Sequence, residues 1–293
     1  MEAKMKKHLD RVSTEYGDEL YFKNFNDRYI KWVNNVEEGS DKIILSELFY
    51  NLKFFSKVEI KEILKAKVKA LSEENEEFSN TAFLPLTPVD GRHSGSNDMI
   101  ALIKEIDREE QFQGTRILPY RTSILTDINY AESFDTFLFI DDISGTGGTV
   151  EKFVAKNFEL MKDKKIIILF LVATEQAIKT FSLLKGRYTS IRFEFDFCYK
   201  IDKLSAQKVL SSEQYSRLFT IEENLWGKGN NNILGYRGSE LLVLFSHNIP
   251  NNTVSSFWYY SDKNPEKWRR LFVRITAPNR QMQNYRNRKN GAE

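Results

Sequence analysis

The chain has almost no cysteine. Cys198 is the single one among 293 residues, which excludes an internal disulfide framework and any metal site built from several cysteines. That usage fits a reducing cytosol. Cys198 lies in the alternating run from Ile191 to Lys200 and reads as a packed strand residue, not a nucleophile. Long apolar runs are also missing. The longest, Ile166 to Ala173, is far too short to span a bilayer and reads as a buried strand. No signal-like leader opens the sequence, so a cytoplasmic protein without membrane contact is expected. A strong charge of one sign is lacking too, since the formal net charge is +2. The length still allows a sizeable core, as one elaborated domain or two.

What is present changes along the chain. Residues 1–80 read as a helical region. Tyr29, Trp32 and Val33 have helical spacing, as do Ile44, Leu45, Leu48 and Leu52, and Val58 to Leu71 carries an apolar face. Gly39 suits a turn, and Ser40 or Asp41 is expected to cap the next helix. His8, in a basic run, is expected to be solvated. The acidic run at 73–77 reads as a connector. At Thr81 the period changes. Strands are expected at 82–86, 137–140, 166–173, 191–199 and 240–245, with helices at 97–106, from Val150 and at 175–184. Alternating strands and helices imply an α/β fold with a mainly parallel sheet, whose ligands bind beyond the carboxyl ends of the strands. Residues 203–232 read as a helical insertion. Residues 264–293 carry eight Lys or Arg against two Glu. That excess, part of it in the basic tail at 275–293, suits a nucleic-acid or protein partner, or a solvated tail.

The most informative stretch is 137–150, Phe-Leu-Phe-Ile-Asp-Asp-Ile-Ser-Gly-Thr-Gly-Gly-Thr-Val. Four apolar residues form the strand, and Asp141 and Asp142 are expected where it ends. Ser144, Gly145, Thr146, Gly147, Gly148 and Thr149 then form a loop. Its amides and hydroxyls, with a helix N-terminus, make a cradle for one phosphate. Gly148 is expected to be the residue that lets the backbone approach the phosphate. The adjacent carboxylates suit a sugar diol or a hydrated Mg²⁺ ion. Together these describe a ribose 5-phosphate site. A Walker A loop would need Gly-Lys-Ser/Thr, and no lysine follows the glycines. A dinucleotide fingerprint places its acid about 20 residues after the glycines, whereas here the acids come first. A Walker B strand lacks its Walker A partner.

The order strand, two acids, short gap, Thr-Gly-Gly-Thr resembles the signature of the type I phosphoribosyltransferases. With Gly235-Tyr236 and Pro250-Asn-Asn-Thr253 before Phe257-Trp258, the chain resembles a narrower group. These are the bacterial phosphoribosyltransferase-like proteins of conflict systems, including retron and related anti-phage cassettes. The resemblance implies a type I phosphoribosyltransferase fold over residues 81–274, with a helical N-terminal extension and a C-terminal hood of aromatics over a base. It implies that Thr146, Gly147, Gly148 and Thr149 hold the 5-phosphate while Asp141 and Asp142 face the ribose hydroxyls or Mg²⁺. A pyrophosphate loop would comprise Gly91, Arg92, His93, Ser94 and Gly95. A mobile catalytic loop at 109–127 would supply Arg116 and Arg121.

The implied chemistry is displacement of pyrophosphate from C1 of phosphoribosyl pyrophosphate. Mg²⁺ and Arg92 would neutralise the leaving group, Asp141 or Asp142 the sugar cation, and His93 would contact phosphate or act as an acid. His247, beside Asn248, is a weaker candidate. The loops around the acids match the housekeeping purine and pyrimidine enzymes poorly, so other readings stay open. Water could be the acceptor. The pocket could bind a nucleotide without reacting, as a regulatory subunit of an ATPase or reverse-transcriptase complex in a defence system. The basic tail could make the chain a nucleic-acid-binding subunit. Pyrophosphate release separates the first reading from the second, and a steep salt dependence of binding marks the third.

Overall fold

A computed structural model of the chain describes residues 2–74, 80–87, 94–110 and 132–275. The connector at 75–79, most of the expected pyrophosphate and catalytic loops, and the tail after Ile275 lie outside them. In chain order the helices are α1 (Glu2–Tyr16), α2 (Phe25–Val33), α3 (Gly39–Tyr50), α4 (Lys57–Glu74), α5 (Gly95–Glu110), α6 (Gly148–Met161), α7 (Glu175–Arg187), α8 (Leu204–Gln207) and α9 (Ser212–Trp226). The strands are β1 (Lys53–Phe55), β2 (Thr81–Pro85), β3 (Thr136–Ser144), β4 (Lys165–Ala173), β5 (Arg192–Lys200) and β6 (Val243–Phe245). Among the described residues, no helix is long and apolar enough to cross a membrane.

The chain divides into two compact units. Residues 58–201 form one, and residues 1–57 with 202–275 form the other. The sequence reading drew its boundaries at 80 and 274, where the hydrophobic period and the composition change. Periodicity registers where elements begin, but not which distant elements share a core.

The first unit is the expected parallel α/β layer. Strands β2, β3, β4 and β5 lie in that order, and all pairs run parallel. Phe137, Phe139, Ile166, Ile168 and Phe170 share one core cluster with apolar residues of α6 and α7. Leu138 and Ile140 alternate with them and so face the other side, where α5 packs on β2 and β3. Lys61 of α4 reaches Glu105 and Glu109 of α5 at 2.9 and 2.6 Å. The apolar residues of β4 are buried on both faces, which explains their unbroken run. Pairing of β3 extends through Asp141 to Ser144↔Ala173, so the two acids stand inside the strand and not past its end.

The second unit is mostly helical. Short strands β1 and β6 pair in parallel, Lys53↔Val243 to Phe55↔Phe245. The expected strand at 240–245 is shorter because Glu240 takes a positive φ of 56° and belongs to the preceding turns. A turn between α8 and α9 carries a capping box, Ser211 with Gln214. Neither Ser40 nor Asp41 caps α3. Asp41 is instead buried in the first turn and accepts from Arg217 of α9 through both oxygens, at 2.8 and 2.7 Å. His8 is likewise not solvated. Its ring packs 5.2 Å from Phe49 and 4.8 Å from Tyr50, and burial lowers its pKa. The basic run around it is one face of an amphipathic helix, and His8 lies on the other.

Aromatic packing dominates this core. Trp32 is fully buried and stacks on Phe257, with centroids 5.1 Å apart and planes 14° apart. Its Nε1–H donates to the Ser256 carbonyl at 2.8 Å, and Trp268 Nε1–H donates to the same oxygen at 2.7 Å. Of the aromatics expected to hood a base, Phe257, Trp258 and Tyr259 are buried in this unit, and Tyr260 is exposed. Trp32→Ala should cost about 3–5 kcal/mol, since it empties a close-packed site. Trp32→Phe should cost less, because a ring still stacks on Phe257. Urea unfolding of the full chain measures both, and a Trp32→Ala loss below that of Trp32→Phe would contradict the packing described.

Candidate active site

The site grows from the loop between β3 and α6. Thr174 follows β4 directly and caps α7, its Oγ1 accepting the Ala177 N–H at 3.1 Å. It also ties down the loop. The Thr174 N–H donates to the Ser144 carbonyl at 3.1 Å, and its hydroxyl donates to the Gly145 carbonyl at 2.5 Å. Thr180, one turn further along α7, donates to the Thr146 carbonyl at 3.0 Å. The Gly147 carbonyl accepts the Glu151 N–H at 3.0 Å within α6. Consecutive carbonyls from Ser144 to Gly147 are thus all engaged. In a planar trans peptide the following N–H points the opposite way. The amides of Gly145, Thr146, Gly147 and Gly148 are therefore turned away from those partners. The Gly148 N–H lies 3.4 Å from Thr146 Oγ1, while no described group accepts from Thr146 or Gly147 N–H. Converging amides at the start of a helix are an anion site in electrostatic terms.

The conformational requirement for glycine falls at Gly147, the residue before the one expected to admit the phosphate. Gly147 has φ +76°, and a Cβ there would stand 2.6 Å from Thr180 Cβ. Gly148 is the first residue of α6, and a Cβ there would meet only Thr146 Oγ1 at 3.4 Å. Ser144, Gly145 and Gly147 are buried, Thr146 and Gly148 half-buried, and Thr149 exposed. Spacing locates a Gly-Gly pair but cannot say which member takes the left-handed conformation.

The acid pair is asymmetric. Asp141 is buried and Asp142 half-buried. Asp141 Oδ1 accepts the Asp142 N–H at 3.0 Å. Burial, reinforced by the neighbouring Asp142 carboxylate, pushes Asp141 well above the usual carboxylate range; the N–H groups of Asp142 and Ser96 pull it back only in part. The N-terminus of α5 closes on this pair. A Cβ at Gly95 would lie 2.0 Å from Asp142 Oδ2, so bare backbone is needed there. The turn is braced by Ser94 Oγ to Ser96 Oγ at 2.6 Å and by the Ser94 N–H to Asn97 Oδ1 at 3.1 Å.

Of the residues expected in a pyrophosphate loop, Gly95 lies against Asp142, and Ser94 opens the same turn. Gly91, Arg92 and His93 lie outside the described residues. Among the described residues, no group of three or more His, Cys, Asp and Glu could hold a metal ion. The acid pair suits Mg²⁺ only if water and ligand phosphates complete the shell, which is how that ion is commonly held. Sequence reasoning missed Thr174, Thr180, Ser96 and Asn97. Only Thr174 left a signal, as a threonine placed to cap a helix.

The other candidates lie elsewhere. Cys198 is in β5, and burial pushes its thiol up to about 11, which makes it inert. His247 stacks on Phe245 at 5.4 Å. The motifs at 235–236 and 250–253 form one piece. The Tyr236 N–H donates to the Asn251 carbonyl at 2.7 Å, and a Cβ on Gly235 would stand 2.4 Å from the Asn252 carbonyl oxygen.

A parallel sheet, an acid pair on its second strand and a glycine-threonine loop at the next helix N-terminus define a phosphoribosyltransferase-like protein. Residues 29–274 match the family model PRTase-CE, and the chain belongs to that family. A comparison with curated proteins found no match.

Gly147→Ala should destabilise the protein by about 1–3 kcal/mol, through the positive φ and the Thr180 contact. Gly148→Ala should stay within about 1 kcal/mol, since it sits in a helical turn with room. Equal losses in chemical unfolding would contradict this placement. Asp141 also predicts a pH dependence. The folded protein binds its proton more tightly than the unfolded chain does. That contribution is therefore complete below the usual carboxylate range and is lost as pH rises through the elevated value. Asp141→Asn removes it, so the stability of the variant relative to wild type should increase with pH across that interval. A constant difference would refute the assignment.

Proposed function

We propose that the chain binds a phosphoribosyl compound, phosphoribosyl pyrophosphate or a nucleotide, with its 5-phosphate in the 144–149 loop and its ribose beside the acid pair. The observation that supports this most directly is the set of engaged carbonyls from Ser144 to Gly147, which leaves the following amides turned away from the partners that hold the loop. The α5 N-terminus beside Asp142 supports the diphosphate position. Mg²⁺, held between the acid pair and the ligand, would supply charge neutralisation for a leaving diphosphate. Asp141 or Asp142 would stabilise positive charge growing on the sugar, and Arg92 and His93 are proposed for the departing phosphates. Preorganised charge of this kind is commonly worth several kcal/mol. Transfer to an acceptor, or hydrolysis of an N-glycosidic bond, uses the same groups.

A role in bacterial anti-phage defence, with partner proteins or nucleic acid engaged through the basic tail, is supported by the motif resemblance and by the tail's charge alone. Calorimetric titration of the full chain with phosphoribosyl pyrophosphate and Mg²⁺ tests the ligand. Wild type should bind. The double variant Asp141→Asn, Asp142→Asn should stay folded and lose more than about tenfold in affinity. Equal affinity in that variant would overturn the proposal. Release of pyrophosphate on adding candidate acceptors distinguishes an enzyme from a sensor.

A further inference from the structure

We propose that the Thr146–Gly147 peptide is a two-position switch in the anion cradle, and that Thr180 is the positioning residue that latches it with its N–H outward. This deepens the phosphoribosyl reading and rests on it for the ligand half only. The loop's four engaged carbonyls are not held alike. Those of Ser144 and Gly147 accept backbone N–H groups, from Thr174 at 3.1 Å and from Glu151 at 3.0 Å. That of Gly145 accepts the Thr174 hydroxyl. That of Thr146 accepts the Thr180 hydroxyl at 3.0 Å, and this hydroxyl has a second acceptor, the Gln176 carbonyl one turn back in α7, at 3.1 Å. One proton serves two acceptors. Bonding to the i−4 carbonyl is a common arrangement for a threonine in a helix. The hold on Thr146 can therefore be withdrawn without breaking any helix or strand.

The backbone permits the peptide to turn over. Gly147 has φ +76° and ψ −6°, the angles of the third residue of a type II turn. A type I turn keeps about the same ψ there with φ at about −90°, and its central peptide is rotated by half a turn. Glycine takes both signs of φ at little cost. In the present orientation the Thr146 carbonyl faces α7 and the Gly147 N–H faces away from it. Rotated, the peptide would offer an anion a carbonyl oxygen in place of a donor, and the cradle would repel what it now attracts.

Thr146–Gly147 is the only Thr-Gly pair in the sequence, so labelling threonine carbonyls with ¹³C and glycine amides with ¹⁵N isolates this one peptide by NMR. The ligand-free full chain should give one signal. Thr180→Val keeps the branched shape and lacks the donor. It should split or broaden that signal, and weaken ribose 5-phosphate by more than about fivefold in calorimetry. Saturating ribose 5-phosphate should restore a single signal near the wild-type position, because the anion selects the orientation with the N–H outward. Thr180→Ser retains the donor and should keep the single signal. Ser182→Ala removes an ordinary back-bond of the same helix, Ser182 Oγ to the Ile178 carbonyl at 3.2 Å, and should match wild type in both measurements. The proposal fails if the ligand-free signal of Thr180→Val matches wild type. It fails equally if wild type binds ribose 5-phosphate and Thr180→Val binds it as well, or if Ser182→Ala reproduces the effects of Thr180→Val. Should Thr180→Val not fold, Thr180→Ala, which also lacks the hydroxyl, takes its place. If wild type does not bind ribose 5-phosphate, the phosphoribosyl reading fails, and the ligand-free spectra still decide the latch.

Discussion

The candidate site depends on the register between β3 and β4. Because β4 is apolar on both faces, alternation cannot by itself prevent a slip of one residue. The ends of the strand do that. At one end the Lys165 N–H donates to the Asp135 carbonyl at 3.0 Å and its Nζ lies 3.1 Å from Glu194. At the other, Thr174 bonds both Ser144 and Gly145. A slip would pull the lysine into an apolar layer and take Thr174 away from the loop it shapes. The same pairing therefore sets the sheet and aims the amides.

Buried carboxylates show how differently one group can be accommodated. Asp41 meets a guanidinium fork from Arg217. Glu222, fully buried, accepts from the Leu234 N–H, the Ser255 hydroxyl and the Ser256 N–H at 2.5, 2.6 and 2.6 Å, although burial still raises its pKa. Both fasten segments distant in sequence. Asp141 accepts the Asp142 amide and has a like-charged neighbour instead of a cation. A folded chain keeps so poorly compensated an acid mainly where binding or chemistry uses it.

Much of the layer was legible in the sequence. The apolar runs at 137–140 and 166–173 and the helical patterns at 58–71 and 97–106 appear as β3, β4, α4 and α5, because each signal is local and periodic. The glycine-threonine loop was legible as well, since few structures other than a backbone cradle use that composition. Three things were not. Asp41 reads as a cap until Arg217, far along the chain, claims its carboxylate. The aromatics at 257–259 read as a ligand cover until Trp32 stacks on Phe257 and Trp226 packs on Trp258 and Tyr259. The loop's dependence on Thr174 and Thr180 is a contact between a loop and a helix side, for which no spacing rule exists. Each miss is a pairing across long sequence separation.

The unit built from 1–57 and 202–275 is interrupted by the whole of 58–201. Residues 1–57 are made before 58–201, and their aromatics pack partly on one another, but their core is complete only once Phe257, Trp268 and Phe272 have been made. The parallel sheet, contiguous in sequence, is free to form in the meantime. Residues 1–57 thus precede the parallel sheet in synthesis and are secured after it. During that interval the face of Trp32 that stacks on Phe257 stays uncovered.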